Sequence, residues 1–278
     1  MKLGWSVFLF LVFLALPNGG ALRAAGLDFA SNGSEGAIDV TSDNGIEWMQ
    51  REQKFIAKGN AKAVRNNVTV LADELIAHYR DRKEGGGTEI WKLEALGHVR
   101  IHSADTKVFG DTAVYDIDNA VLVVRGKPMA KLITPTDTVT ATDSLEYWET
   151  KRVAVARGDA FIQHEDKRLR ADTITADMKE DKAGKLEIKR ADAFGGVLVR
   201  TVNDIATGDK GVYYTDTQIA TLTGNVKITR DKNQLNGGYA EVNMATGISR
   251  LFPAPPGAAQ GTRVQGILMP DGGRKKKQ

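Results

Sequence analysis

The chain has no cysteine, so neither disulfides nor thiolate metal sites contribute to its fold or chemistry. Histidine is scarce, with 4 among 278 residues. His98 and His102 lie on what reads as a strand, which turns both to one solvent-facing side with no third ligand nearby; His78 and His164 stand alone. No metal centre or cofactor is expected. Charge of one sign is also lacking. The formal net charge is +3, and the one dense basic run, Arg274-Lys275-Lys276-Lys277, reads as a solvated end and not as a nucleic-acid patch. Beyond the N-terminus no apolar run approaches the roughly 20 residues of a membrane helix.

The N-terminus is different. Met1-Lys2 is followed by an almost unbroken apolar run from Trp5 to Leu16, then by Pro17-Asn18-Gly19-Gly20 and the small residues Ala21, Ala24 and Ala25. That order is the pattern of a secretory signal peptide. We read residues 1–24 as the signal, with cleavage after Ala21 or Ala24; an uncleaved N-terminal anchor is the alternative. A cysteine-free exported chain fits a bacterial periplasm. After removal, roughly 255 residues remain, enough for one large β domain or two small ones.

A repeat runs through that remainder. Related strands read Phe55-Ile56-Ala57-Lys58-Gly59-Asn60-Ala61, Leu93-Glu94-Ala95-Leu96-Gly97-His98-Val99, Val124-Arg125-Gly126-Lys127-Pro128, Ala156-Arg157-Gly158-Asp159-Ala160 and Leu222-Thr223-Gly224-Asn225-Val226-Lys227-Ile228. Their spacing falls within the roughly 20–50 residues typical of stacked units. A further copy, Arg190-Ala191-Asp192-Ala193-Phe194, matches Arg157 to Phe161 but carries Ala191 where the others have glycine. A second element follows each anchor and contains Asp73, Asp111, Asp143, Asp172 or Asp209. The unit is two short strands and two turns, repeated about six times, which gives about a dozen strands, too many for one flat open sheet.

Parity orients the strands. Two and four residues from each glycine stand Phe55, Ala57, Ala61 and Ala63; Leu93, Ala95, Val99 and Ile101; Leu122, Val124 and Ala130; Ala154, Ala156, Ala160 and Ile162; Ala220, Leu222, Val226 and Ile228. The alternate positions hold Lys58, Lys62, Arg100, Arg125, Lys131, Arg157 and Lys227. One face is dry and the other wet, the signature of antiparallel strands. The glycine is in phase with the dry face, where a missing side chain lets sheets approach or bends the strand. The expected fold is all-β: a repeated antiparallel two-sheet open jellyroll, V-shaped and solenoid-like. Only Glu74 to Tyr79 and Lys179 to Lys182 have any helical character, and strand or turn fits the repeats better.

Catalysis is not expected. The aspartates occur once per repeat and read as corner residues that bond backbone N–H groups. Gly85-Gly86-Gly87 follows charged residues and lacks the strand-to-helix setting of a phosphate loop. Trp48, Trp91 and Trp148 fall near strand ends, as rim or core packing.

Ile38 to Asp43, Phe55 to Ala61, Val70 to Asp73 and, most closely, Leu222 to Ile228 resemble the motif of LptA/OstA-like proteins, periplasmic proteins of lipopolysaccharide transport. The resemblance covers about residues 37–252 and leaves 253–278 as a Pro/Gly-rich basic tail, expected to be disordered. It implies an open β-jellyroll that holds lipid A acyl chains between two sheets. The implied lipid-binding face comprises Phe55, Ala57, Leu93, Val99, Ile101, Leu122, Val124, Ala156, Ala160, Ile162, Leu222, Val226 and Ile228. The implied partners are lipopolysaccharide and the inner- and outer-membrane export components, joined end to end by β-strand pairing, with head-to-tail self-association as a further expectation. Two alternatives stay open: an inner-membrane-anchored partner of the same system, and a structural β-solenoid without lipid. Parity alone does not separate a packed dry core from a lipid-filled groove.

Overall fold

The computed structural model describes residues 38–82, 86–103, 105–180, 186–246, 248–258 and 263–269. The signal peptide, and with it the question of an anchor, lies outside the described residues.

Alternation produces strands throughout, and among the described residues there is no helix. The strands are β1 (Asp39–Thr41), β2 (Ile46–Met49), β3 (Lys54–Arg65), β4 (Val68–Asp81), β5 (Thr88–Ser103), β6 (Thr106–Asp116), β7 (Val121–Arg125), β8 (Ala130–Ile133) and β9 (Asp137–Ala141). They continue as β10 (Ser144–Trp148), β11 (Val153–His164), β12 (Lys167–Glu180), β13 (Leu186–Arg200), β14 (Asp204–Tyr214), β15 (Ile219–Arg230), β16 (Asn233–Asn243), β17 (Ile248–Phe252) and β18 (Gln265–Ile267). All pairings are antiparallel. Glu74 to Tyr79 is strand, inside β4.

The count of 18 exceeds the dozen expected because the third copy breaks at its corner. There β7 and β8 are separate strands, as are β9 and β10, while the other long strands pass through the corner unbroken. Two edge strands at each end supply the rest.

The corner has one repeated construction. The register slips at Lys58/Ala61, Leu96/Val99, Arg157/Ala160, Phe194/Val197 and Thr223/Val226. Each slip spans a glycine with φ of +75 to +77° (Gly59, Gly97, Gly158, Gly195, Gly224) and a following residue also at positive φ. Such a two-residue bulge bends the strand and restores its facing, which is why residues on both sides of the glycine point inward. The glycine does not face the opposite sheet; of the two roles read from the sequence, the bend is the one found. A Cβ at Gly97 would lie 2.1 Å from Asp73 Oδ2, and one at Gly224 2.2 Å from Asp209 Oδ2. The space belongs to the corner aspartate of the preceding strand.

Two further expectations change here. The fifth copy has not lost its glycine. Its corner is Gly195-Gly196, packed against Asp172, and the parity centred there gives Ala191, Ala193, Val197 and Val199, all buried. Glu187 and Lys189 looked like intrusions for a separate reason: a second register slip, from Asp177↔Arg190 to Met178↔Ile188, skips Lys189 and turns Ile188 inward instead. Part of the stretch read as a disordered tail is also ordered: β18 pairs with Gln234, Leu235 and Asn236 of β16.

Each long strand therefore contributes one half to each of two facing sheets. In the first sheet, Ile46, Ala57, Leu75, Ala95, Ala113, Val124, Leu145, Ala156, Ile174, Ala193, Gly211, Leu222, Ala240 and Leu251 stand side by side. In the second, the row is Val40, Ala63, Val70, Ile101, Val108, Leu132, Val139, Ile162, Leu169, Val199, Ala206, Ile228 and Leu235. Residues from both rows meet in one hydrophobic cluster. No charged or hydrogen-bonding side chain interrupts either row.

Candidate functional site: an apolar groove between the sheets

The two rows do not close equally along the molecule. Near β1–β7 they enclose a cavity of about 350 Å³ lined by Val40, Phe55, Ala57, Ala63, Val70, Leu75, Ala77, Leu93, Ala95 and Ala113, among others. A second cavity of about 180 Å³ follows, lined by Val108, Val124, Leu132, Val139, Tyr147, Ile162 and Ala191, among others. Ile101 and Leu122 line both, so the cavities adjoin. The first falls at the small end of ligand pockets, which start near 300 Å³.

The residues assigned to the dry face take three positions. Ala57, Val99, Ile101, Leu122, Val124, Ala156, Ala160, Leu222, Val226 and Ile228 are buried. Leu93 and Ile162 are half-buried and pack against the cluster. Phe55 is 36% exposed, on the strand beside the short edge strand β2. Phe55 lines the first cavity with Ala57, Leu93, Ile101 and Leu122; Ile101, Leu122, Val124, Ala156 and Ile162 line the second. The structure thus brings most of the set to one groove. Leu222, Val226 and Ile228 instead sit fully buried toward the C-terminal end.

Sequence parity around the glycines missed the β4 contribution, Val70, Leu75 and Ala77, because β4 carries no glycine from which to count. It also missed an aromatic cluster at the N-terminal mouth. Trp48 stacks on Phe55 with ring centroids 5.4 Å apart, Phe55 meets Tyr79 at 5.1 Å, and Trp48 Nε1 donates to the Tyr79 hydroxyl at 2.8 Å. Trp48 is nonetheless 60% exposed, rim packing of the kind expected.

The two lips of the groove differ chemically. On the first sheet the outermost inward positions are Tyr79, Ile90, Ile117, Met178, Ile188 and Met244. On the second sheet they include Ser103, Asp137, His164, Asp204 and Arg230. His164 does not stand alone: its Nδ1 lies 2.7 Å from Asp137 Oδ1, and both residues are buried. The Thr136 and Thr134 hydroxyls donate to Asp137 Oδ2 at 2.6 and 3.2 Å. Arg230 donates twice to the buried Asp204, at 2.6 and 2.8 Å. One turn builds both pairs. In Thr134-Pro135-Thr136-Asp137 and Thr201-Val202-Asn203-Asp204, the Asp N–H donates to the Thr hydroxyl and the Thr N–H to the Asp carbonyl.

The corner aspartates bond mainly to the side chain after the glycine. Asn60 donates to Asp43 at 2.7 Å, Asn225 to Asp209 at 2.9 Å, and His98 Nδ1 lies 2.8 Å from Asp73 Oδ2. Positive φ swings that side chain outward to the carboxylate. Asp111 makes the expected bond to backbone, accepting from the Lys127 N–H. Outward cations are also engaged, Lys58 with Glu47 at 2.9 Å and Arg157 with Glu146 at 2.8 Å. Burial pushes Glu146 up, but hydrogen bonds from Arg157, Trp148 and Ser144 outweigh it and hold the carboxyl below its usual range. Burial raises the Tyr147, Tyr213 and Tyr239 hydroxyls. Among the described residues no group of three or more His, Cys, Asp or Glu could hold a metal.

Residues 138–248 match the family model described as LptA/(LptD N-terminal domain) LPS transport protein. That stretch, about two fifths of the chain, is similar to the transport proteins this model describes. An uncharacterized protein of Rhizobium meliloti (strain 1021) is 27% identical over 119 residues, which is 41% of this chain. The match spans 60% of that relative's own length. Among solved structures, LptH, the LptA-homologous periplasmic component of the lipopolysaccharide transport device of Pseudomonas aeruginosa, aligns at TM-score 0.41 and 21% identity. That alignment covers 48% of this chain and 95% of LptH. The matching family is one of transport proteins.

Proposed function

We propose that this chain binds lipopolysaccharide by its lipid A acyl chains and carries it across the periplasm, from the inner toward the outer membrane, as part of a protein bridge. The observation that carries this reading is the pair of uninterrupted apolar rows, with open volume between them at the N-terminal and central parts of the groove. Burial of a methylene is worth about 0.8 kcal/mol, so an acyl chain of about twelve carbons resists crossing water by about 8–10 kcal/mol. A carrier must offer similar apolar contact all along its length, and repeated rows in register supply that.

On this reading residues 1–24 export the chain, residues 38–267 form the working domain, and Phe55, Leu93, Ile101, Leu122 and Ile162 contact lipid. The free edges of β1 and β2 at one end, and of β17 and β18 at the other, pair with the membrane components of the bridge or with a second copy. Photo-crosslinking tests the groove assignment: a crosslinker at Leu75 in exported protein should form lipopolysaccharide adducts, and one at the outward Lys62 should not. Equal labelling at both positions would remove the groove from the account. Labelling at neither would favour a solenoid without lipid.

A further inference from the structure

The second cavity carries one polar group whose bonding is incomplete. Ser103 closes β5, at the lip of the second sheet, paired with Val68 and Thr106. It is 2% exposed and lines the cavity, yet its hydroxyl has no hydrogen-bond partner. A buried hydroxyl without a partner loses its hydration for nothing, unless something supplies the missing bond. The neighbouring lip groups do not supply it, because Asp137 is taken up by His164, Thr134 and Thr136. Below Ser103, toward the corner, the lining is apolar: Ile101, Val108, Leu132 and Val139.

We propose that this place is a linkage-reading subsite. The hydroxyl of Ser103 donates to the ester or amide carbonyl that joins an acyl chain to its polar head, and the chain itself runs down into the cavity. The proposal rests on the groove reading above and adds an orientation to it: heads at the polar lip of the second sheet, tails toward the corner. Ser103 reads the linkage, while the apolar rows read only length and width. The His164–Asp137 pair, farther along the same lip on β11 and β9, is bonded within itself.

The test uses the full exported chain and two probes with the same quaternary ammonium head, lauroylcholine with an ester and dodecyltrimethylammonium without one, titrated by calorimetry below their micelle concentrations. Wild type should bind lauroylcholine more tightly. Ser103→Ala should lose about fivefold in affinity for it, the worth of one neutral hydrogen bond, and leave dodecyltrimethylammonium unchanged. Because the lost hydroxyl was unpartnered, the melting temperature of the ligand-free variant should hold or rise, which a merely structural role would not give. If wild type binds both probes equally and Ser103→Ala changes neither, the subsite is overturned while the groove stands. If neither probe binds although Leu75 crosslinks to lipopolysaccharide, the subsite alone again fails; if Leu75 does not crosslink either, both fall.

Discussion

The N-terminal and C-terminal thirds are built from one repeat and end in different states. Around β3 to β6 the inner rows are rich in alanine (Ala57, Ala63, Ala77, Ala95, Ala113), and about 350 Å³ stays open between the sheets. Around β13 to β16 the inward positions include Val197, Leu222, Val226, Ile228 and Val242, each at 2% exposure or less, beside the equally buried Ala193, Ala220 and Ala240. Strand direction, corner and register do not differ. What differs is how completely the facing side chains fill the space between the sheets, since a core close-packs only when their volumes add up to the gap. One end of the groove is shaped as a container and the other as an anchor for the fold.

Three comparisons would break or sharpen that contrast. The largest effect should come from a charge placed on each inner row. Val226→Asp puts an unpaired carboxylate in a closed core and should cost about 4 kcal/mol or more, enough to abolish cooperative unfolding in a denaturant titration. Leu75→Asp borders open volume and should leave a folded protein with a sheet-like circular dichroism spectrum. If both unfold alike, the two thirds are equally packed.

Next come truncations. Leu222→Ala should cost about 3 kcal/mol, because it opens a cavity where none can collapse. Leu93→Ala, half-buried beside existing space, should cost about 1 kcal/mol. Chemical denaturation of the two variants, read as a shift in midpoint, measures the ratio.

The smallest effect is alkaline. Burial raises the Tyr213 and Tyr239 hydroxyls above their ordinary range. Their contribution is fully present below the unfolded value near pH 10 and is lost as pH rises through the raised folded value. Stability should fall above about pH 10, and Tyr213→Phe should flatten that fall. A pH-independent melting temperature in wild type between neutral and strongly alkaline solution would contradict the burial.

Much of this was legible beforehand, for physical reasons that can be named. Period-two alternation around Gly59, Gly97, Gly158 and Gly224 reports facing directly, so fold class and most of the buried set followed from it. The bulge did not follow. Parity passes through two left-handed residues unchanged, so counting gave the right inward residues and the wrong direction for the glycine. At Gly195-Gly196 the pattern Arg-Ala-Asp-Ala-Phe matched a neighbour by residue identity and pulled the frame off the true corner by four positions. Pairing between distant residues, such as His164 with Asp137 across β11 and β9, leaves no local trace. Nor does empty volume. The difference between a dry core and a groove depends on which alanines face which, and that is settled only when strands pair.

The central claim is that the open N-terminal volume holds acyl chains. The most direct test fills it. Ala77→Leu adds apolar bulk at a cavity-lining position, and Lys62→Asp changes the outward face of β3. Lipopolysaccharide binding to the purified exported protein should fall at least about tenfold in Ala77→Leu, the loss expected when more than about 1.4 kcal/mol of chain contact is displaced, with the melting temperature held. Lys62→Asp should bind as wild type does. A folded Ala77→Leu protein that binds lipopolysaccharide with undiminished affinity would contradict the account.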